Sequence, residues 1–416
     1  MTAPGTTADH DHPGGARVRR TATRMADGRE LLYFDDSEPY VSGGATRRLD
    51  DPRPLGDRFV VTDPDGSTRP MTGPEMRLDP LTGEWIPMAS HRMNRTFLPA
   101  ADACPLCPAR PETSGTGYSD GEIPATDYDV VVFENRFPAL MQVPGITLAD
   151  GWDVDGDALW PARPAAGMCE VVCFSADHTS SFADLTPRRV RTIVEAWADR
   201  TTHLSALPGI EQVFAFENRG REIGVTLPHP HGQIYAFPFV TPRTAAMLRQ
   251  AAAYRERTGG HLLHDVVEAE LRAGTRVVLE SEHWVAYVPA AARWPVEVHL
   301  APRRDVLDLP GLTDAERDDL ARTYLELLRR LDRFFVEPDA PDGEPGRPIP
   351  LPYIAGWHQA VVGEGRELGR LHLQLFSVLR APGKLKYLAG VESGMAAWIS
   401  DTTPERIAAR LQETAR

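Results

Sequence analysis

The chain has 416 residues, long enough for one large domain or two to three ordinary ones. With 42% hydrophobic and 25% charged residues it reads as globular, and a net charge of −14 argues against a nucleic-acid or anionic-membrane surface. No apolar run approaches the roughly 20 residues that span a bilayer. The first twenty residues (MTAPGTTADHDHPGGARVRR) hold no hydrophobic stretch that would mark a secretory signal. The four cysteines are Cys104, Cys107, Cys169 and Cys173. So few in so long a chain, with no such signal, favour a reducing, cytoplasmic setting over a disulfide framework.

In chain order, residues 1–25 are rich in Gly, Thr and His and are expected to be disordered. Residues 128–142 (YDVVVFENRFPALMQ) form a β-rich run, and a Gly/Asp/Pro loop separates it from a second strand, CEVVCFS at 169–175. Thr186-Pro187 supplies an N-cap and a proline at the first helical position. Val190, Ile193, Val194 and Trp197 then recur at helical spacing. The strand QVFAFEN leads through a glycine loop to the strand carrying His229 to Ala236.

The second half repeats this order. Strands at 276–279, 284–288 and 296–301 precede a helix opened by a capping box from Thr313 to Glu316, with Leu320, Tyr324, Leu327, Leu328 and Leu331 as its buried stripe. The strand GWHQAVV at 356–362 and a glycine loop lead to LHLQLF at 371–376. Gly220-Arg221-Glu222-Ile223-Gly224 aligns with Gly365-Arg366-Glu367-Leu368-Gly369, and each precedes a histidine-bearing strand. We therefore read an α+β chain of two related halves, each a bent antiparallel sheet covered by helices, with residues 26–240 as the catalytic half and 241–416 as the second. The run 337–352 is Pro/Gly-rich and reads as an inserted loop.

The chemistry concentrates in His229-Pro230-His231-Gly232-Gln233. On a strand, residues 229, 231 and 233 share one face. Pro228 and Pro230 cannot donate ladder hydrogen bonds, which places the strand at an edge or a sheet opening. Upstream, Gly220 and Gly224 can bring backbone N–H groups close to an anion. A neutral imidazole is a capable nucleotidyl nucleophile when an acceptor fixes its other nitrogen. We assign that role to His231, with Gln233 and Thr226 as donors to phosphoryl oxygens. Cys104-Pro105-Leu106-Cys107 has the spacing of a tetrahedral metal knuckle, most simply for zinc. Its missing ligands should be histidines, with His178 and His229 as candidates. A redox pair and two free thiols are the other readings of these cysteines. Cys169 and Cys173, four apart on a strand, read as small apolar core residues.

These motifs resemble the galactose-1-phosphate uridylyltransferase family, a branch of the histidine-triad superfamily, over residues 75–410. They include Ser90-His91-Arg92 with Arg95, Cys104-x-x-Cys107, Phe133-Glu134-Asn135-x-Phe137, Phe174-Ser175-x-Asp177-His178 and Phe216-Glu217-Asn218-x-Gly220. His229-Pro230-His231-Gly232-Gln233 follows, with Glu282-His283-Trp284, Gly356-Trp357-His358 and Lys386-Tyr387-x-x-Gly390-x-Glu392 in the second half. The resemblance implies ping-pong transfer of a uridylyl group from UDP-glucose to galactose 1-phosphate through a uridylyl-histidine at His231. It further implies phosphate contacts from Arg92 and Arg95, a uridine pocket at Asn135 and Phe137, and nucleotide-sugar contact from Asn218. Lys386 and Glu392 match positions near the hexose. Cys104, Cys107, His178 and His229 match the zinc ligands. Family members are homodimers whose sites borrow residues from both subunits. Some also hold iron on a Glu and three His. Here Met247 and Gln374 replace two of those ligands and leave His358 and His372, so that site is expected to be absent. Val391 and Trp398 stand where Tyr and Gln are common near the sugar. Competing functions are a phosphorylase or transferase using another nucleotide sugar such as ADP-glucose, a nucleotide hydrolase, and a zinc-stabilised nucleotide-binding module. Gln233, where the hydrolases more often carry another histidine, favours transfer.

Overall fold

The computed structural model describes residues 17–53, 55–62, 65–90, 99–100, 103–109, 121–339 and 346–415. Eleven strands form its main sheet: β1 (Arg19–Arg24), β2 (Glu30–Asp35), β3 (Val130–Glu134), β4 (Met168–Cys173), β5 (Gln212–Arg219), β6 (His231–Phe237), β7 (Val277–Glu280), β8 (Trp284–Tyr287), β9 (Val296–Pro302), β10 (Tyr353–His358) and β11 (His372–Ser377). Their spatial order is β1-β2-β3-β4-β6-β5-β10-β11-β9-β8-β7, and every pairing is antiparallel. The order reads the same from either side of the central β5–β10 pair. β6 mirrors β11, β4 mirrors β9 and β3 mirrors β8. The expected repeat is therefore present, but the two bent sheets are fused into one through Ala215↔Trp357 to Arg219↔Tyr353.

Two helices cover one face of this sheet. α1 (Pro187–Ser205) joins β4 to β5 in the first half, and α4 (Asp314–Asp332) joins β9 to β10 in the second. Both start as the sequence indicates. Thr186 caps α1 by accepting from the Arg189 amide, and Thr313 and Glu316 close a capping box on α4. Val172, Phe174, Ile234 and Ala236 meet Val190, Ile193, Val194 and Trp197 in a core that runs on into Leu320, Tyr324, Leu328 and Trp357. Burial of this apolar surface, at about 25 cal/mol per Å², dominates the stability.

α2 (Pro242–Thr258) and α3 (Leu262–Ala273) link the halves. The sequence reading left both without assignment. They bury only Thr244 and Ala251, and Val267 and Glu270, so their apolar stripes are too thin to stand out. A four-stranded antiparallel sheet built from Glu75–Leu78, Trp85–Met88, Trp152–Asp153 and Pro161–Pro164 was also without a clear signal.

Two expectations are corrected. Within the first 25 residues, Arg19–Arg24 form β1 and pair with β2; residues 1–16 lie outside the described residues. The histidine-bearing strand β6 is interior, held by β4 on one side and β5 on the other. Pro228 and Pro230 precede the ladder and so interrupt no pairing, and the Pro230 carbonyl still accepts from Phe174 N at 3.2 Å. The run 337–352 joins a small hairpin, Phe335–Val336 with Pro348–Ile349, and 340–345 lie outside the described residues. Among the described residues no helix is long and apolar enough to cross a membrane.

The central strand pair buries a carboxyl group. Glu217 on β5 accepts a 2.9 Å hydrogen bond from the Tyr353 hydroxyl on β10. Desolvation pushes its pKa from 4.5 up to about 7, against the lowering effects of that hydrogen bond and of Arg219. The folded state therefore prefers the protonated acid. The chain loses stability as pH rises from the unfolded value through about 7, by about 3 kcal/mol at most. Glu217→Gln is expected to raise the melting temperature at pH 8.5 and to change it little at pH 5. A difference that does not vary with pH would count against this assignment.

Candidate functional site

The face of the sheet opposite α1 and α4 carries the histidines. Along β6, Gly232, Ile234 and Ala236 point into the helix-covered core, and His231, Gln233 and Tyr235 point the other way. Gly232 is required by close approach. A Cβ there would lie 2.7 Å from the Phe174 ring and 2.8 Å from the Phe216 carbonyl oxygen. The glycine thus lets β6 settle onto the core while its neighbours face the site.

His231, Gln233, Thr226, Asn135 and Phe137 line one cleft of about 370 Å³, with Leu106, Glu122, Phe133, Arg136 and Leu227. His231 is half-buried, and its Nδ1 lies 2.8 Å from the His229 carbonyl oxygen. That acceptor places the proton on Nδ1 and leaves the lone pair on Nε2. Burial pushes the imidazole below its ordinary pKa, against the smaller raising effect of the carbonyl, so the ring is neutral at pH 7. Asn135 Oδ1 accepts from Phe137 N at 2.8 Å, which pins the corner where β3 leaves the sheet.

Beside the cleft, Cys104, Cys107, His178 and His229 bring four ligand atoms within 4.8 Å of one another. Cys107 Sγ is 3.5 Å from His178 Nδ1 and 3.6 Å from His229 Nδ1. Such spacings suit one small tetrahedral ion, and two thiolates with two imidazoles are a fitting donor set. The other His229 nitrogen, Nε2, lies 2.8 Å from the Ser175 carbonyl oxygen and 2.9 Å from the Tyr128 hydroxyl, which itself donates to the Leu106 carbonyl. These contacts fix the ring with Nδ1 toward the cysteines, as outer partners of metal ligands do. This group can therefore hold a metal ion. None of the four cysteines is in a disulfide, and Cys169 and Cys173 are buried among apolar side chains.

Other expected site residues are not brought to the cleft. Asn218 sits half-buried near the end of β5, and Gly224 is exposed with its N–H taken by the Arg221 carbonyl at 2.9 Å. The glycine loop is a turn in which Ile223 N also donates to the Gly220 carbonyl, at 3.3 Å. Lys386 is buried in the C-terminal region, donates to the Ile399 carbonyl, and lies 3.6 Å from both Glu392 and Asp401. Arg92 and Arg95 lie outside the described residues. The sequence reading missed Glu122, Arg136 and Tyr128. No local pattern singles them out, because tertiary contacts alone bring them to the site.

In the second half, β11, the strand matching β6, is lined differently. The rings of His358 and His372 stack at 5.0 Å, and Gln374 Nε2 lies 3.1 Å from His372 Nε2. Arg243 donates to Gln374 Oε1 at 2.5 Å, and Met247 lines the adjoining small cavity of about 20 Å³.

Comparison with known proteins follows this geometry. Residues 66–241 match the family model for the galactose-1-phosphate uridyl transferase N-terminal domain, and 247–415 match its C-terminal domain. The galactose-1-phosphate uridylyltransferase of Streptomyces lividans is 48% identical over 96% of this chain and 98% of its own. That of Thermotoga maritima is 33% identical over 82% of this chain and 98% of its own. A solved uridylyltransferase structure superposes with a TM-score of 0.69 at 33% identity, covering 82% of this chain and 98% of that one. An ADP-glucose phosphorylase from Arabidopsis thaliana, with a TM-score of 0.58 at 22% identity over 82% of this chain and 99% of its own, shares the fold.

Proposed function

The chain belongs to the galactose-1-phosphate uridylyltransferase family, and on that premise we propose that it moves a uridylyl group from UDP-glucose to galactose 1-phosphate through a covalent intermediate on His231. The observation that carries this reading is the His231 Nδ1 contact to the His229 carbonyl in a cleft shared with Gln233, Thr226, Asn135 and Phe137. His231 Nε2 attacks the α-phosphorus. A P–N bond forms, the bond to the bridging oxygen breaks, and glucose 1-phosphate leaves. The ring gains positive charge in this step, and the carbonyl facing Nδ1–H stabilises it. Gln233 and Thr226 donate to the non-bridging oxygens. A phosphate oxygen of galactose 1-phosphate then attacks the same phosphorus, the P–N bond breaks, and UDP-galactose leaves with His231 neutral again.

The Cys104, Cys107, His178 and His229 group fits zinc in a closed structural site. Zinc there would tie the 104–107 loop to the approach to β6. The second half is expected to hold no iron, because Met247 and Gln374 leave two imidazoles beside a guanidinium, a donor set hostile to a cation. The protein is expected to act as a homodimer that shares its sites. Support comes from the position of Lys386 and Glu392 away from the His231 cleft, and from exposed Tyr387, Leu388, Val391, Met395 and Ile399 in the same segment. Arg92, Arg95, Asn218 and Gly224 remain candidate substrate contacts on the resemblance. Four cysteines with no disulfide among them favour the cytoplasm.

Isotope exchange tests this reading. Labelled glucose 1-phosphate is expected to enter UDP-glucose with no second sugar phosphate present, and ADP-glucose is expected to support none. Absence of exchange by metal-loaded protein would overturn the ping-pong reading.

A further inference from the structure

The family model begins to match at residue 66, although the Streptomyces lividans relative covers 96% of this chain, and the described residues before 66 are built into the molecule. β2 is buried almost throughout and extends the sheet beyond β3, with Leu31 paired to Phe133 and Phe34 to Val130. Three arginines of this segment reach the back of the cleft wall. Arg29, 3% exposed, donates to the Glu134 carbonyl at 3.1 Å, to Glu122 Oε2 at 2.5 Å and to Asp27 Oδ2 at 2.7 Å. Arg58 pairs with the Glu134 carboxylate, whose other oxygen accepts from Glu30 N at 2.9 Å. Arg53 donates to the Glu122 carbonyl at 3.0 Å and to the Gly121 carbonyl, and is itself held by Asp51 at 2.7 Å.

The two places so gripped are the two that matter to the cleft. Glu122 lines it directly. The Glu134 carbonyl belongs to the peptide that joins β3 to Asn135, another lining residue. A guanidinium bound to that carbonyl fixes the peptide plane and therefore the direction in which Asn135 leaves the strand. Buried guanidinium and carboxylate groups hold such geometry tightly, because breaking one pair strands a charge out of water.

We propose that residues 17–62 are a positioning element for the nucleotide wall of the cleft, acting through Arg29 on Glu122 and on the Glu134–Asn135 peptide. This rests on the uridylyl-transfer reading, in which the base and ribose lie against Asn135 and Phe137, remote from the bond that breaks. Arg29 is a positioning residue that sets nucleotide affinity and leaves the chemistry at His231 alone.

The test is the kinetics of full-length Arg29→Met and Arg29→Lys beside wild type. Arg29→Met is expected to raise the KM for UDP-glucose about 10- to 100-fold, with kcat and the KM for galactose 1-phosphate within about threefold. Arg29→Lys should fall between. Asp27→Asn, a milder change that loosens Arg29 from outside the cleft, should give the same selective rise if Arg29→Met does not fold. Calorimetric titration of UDP-glucose, with His231→Gln added to each protein to block the first half-reaction, reads the shift without chemistry. Lack of exchange in wild type would therefore overturn the transfer reading, while the binding shift still judges the wall. Unchanged UDP-glucose affinity in a folded Arg29→Met or Asp27→Asn protein would overturn the proposal. So would an equal loss in both KM values and kcat that merely follows the melting temperature.

Discussion

His231→Gln is expected to lower uridylyl exchange by about 10⁴-fold or more while the protein stays folded. The carboxamide can occupy the imidazole's place but has no basic lone pair to bond phosphorus, so no covalent intermediate forms. What survives is the binding and positioning of two anionic substrates, which cannot replace a nucleophile. The strand does not depend on the imidazole for its place, because β6 is paired on both sides, to β4 and to β5. Exchange of labelled glucose 1-phosphate and thermal melting measure the two halves of this statement. Full activity in the variant would remove His231 from the role of nucleophile.

Cys104→Ala is expected to release the bound metal, about one ion per chain, and to cost several kcal/mol of stability. Three ligands hold such an ion far more weakly than four, and the remaining thiolate and imidazoles then sit close together without the charge that offset their burial. Transfer should fall as well, though the metal touches no reacting atom. His229 links the two centres: its Nδ1 faces Cys107 and its main-chain carbonyl orients His231. A loosened His229 therefore loosens the nucleophile and its tautomer. Metal analysis, melting and exchange on one preparation would show the three losses together. A variant that keeps its metal and melts like wild type would sink the assignment of the ligand set.

The sequence disclosed most where a local rule acts alone. The capped starts of α1 and α4 follow from Thr186-Pro187 and from Thr313 with Glu316. The internal repeat follows from two glycine loops placed before two histidine strands. Cys-x-x-Cys spacing together with His178 and His229 indicated a metal group whose ligand atoms the fold brings together. Position within the sheet was not legible. Two prolines suggested an edge for β6, but they lie just ahead of the ladder, a difference of one or two residues that no propensity resolves. The thin apolar stripes of α2 and α3 hid those helices. Glu122 and Arg29 are ordinary charged residues until the fold sets them 2.5 Å apart across 93 positions of chain. In the glycine loop, the Gly224 amide is taken by the Arg221 carbonyl, a turn contact that the glycine spacing alone does not show.

The fusion of the two halves through β5 and β10 has an evolutionary reach. A duplicated unit that once had to shield its own exposed strand now uses that strand as a seam. Once the seam formed, neither copy could drift away from the other in geometry, yet each was free to drift in chemistry. One copy kept its paired histidines. The other has His372 in the place of His231 but Arg370 in the place of His229, so it serves as the scaffold against which its twin is held still.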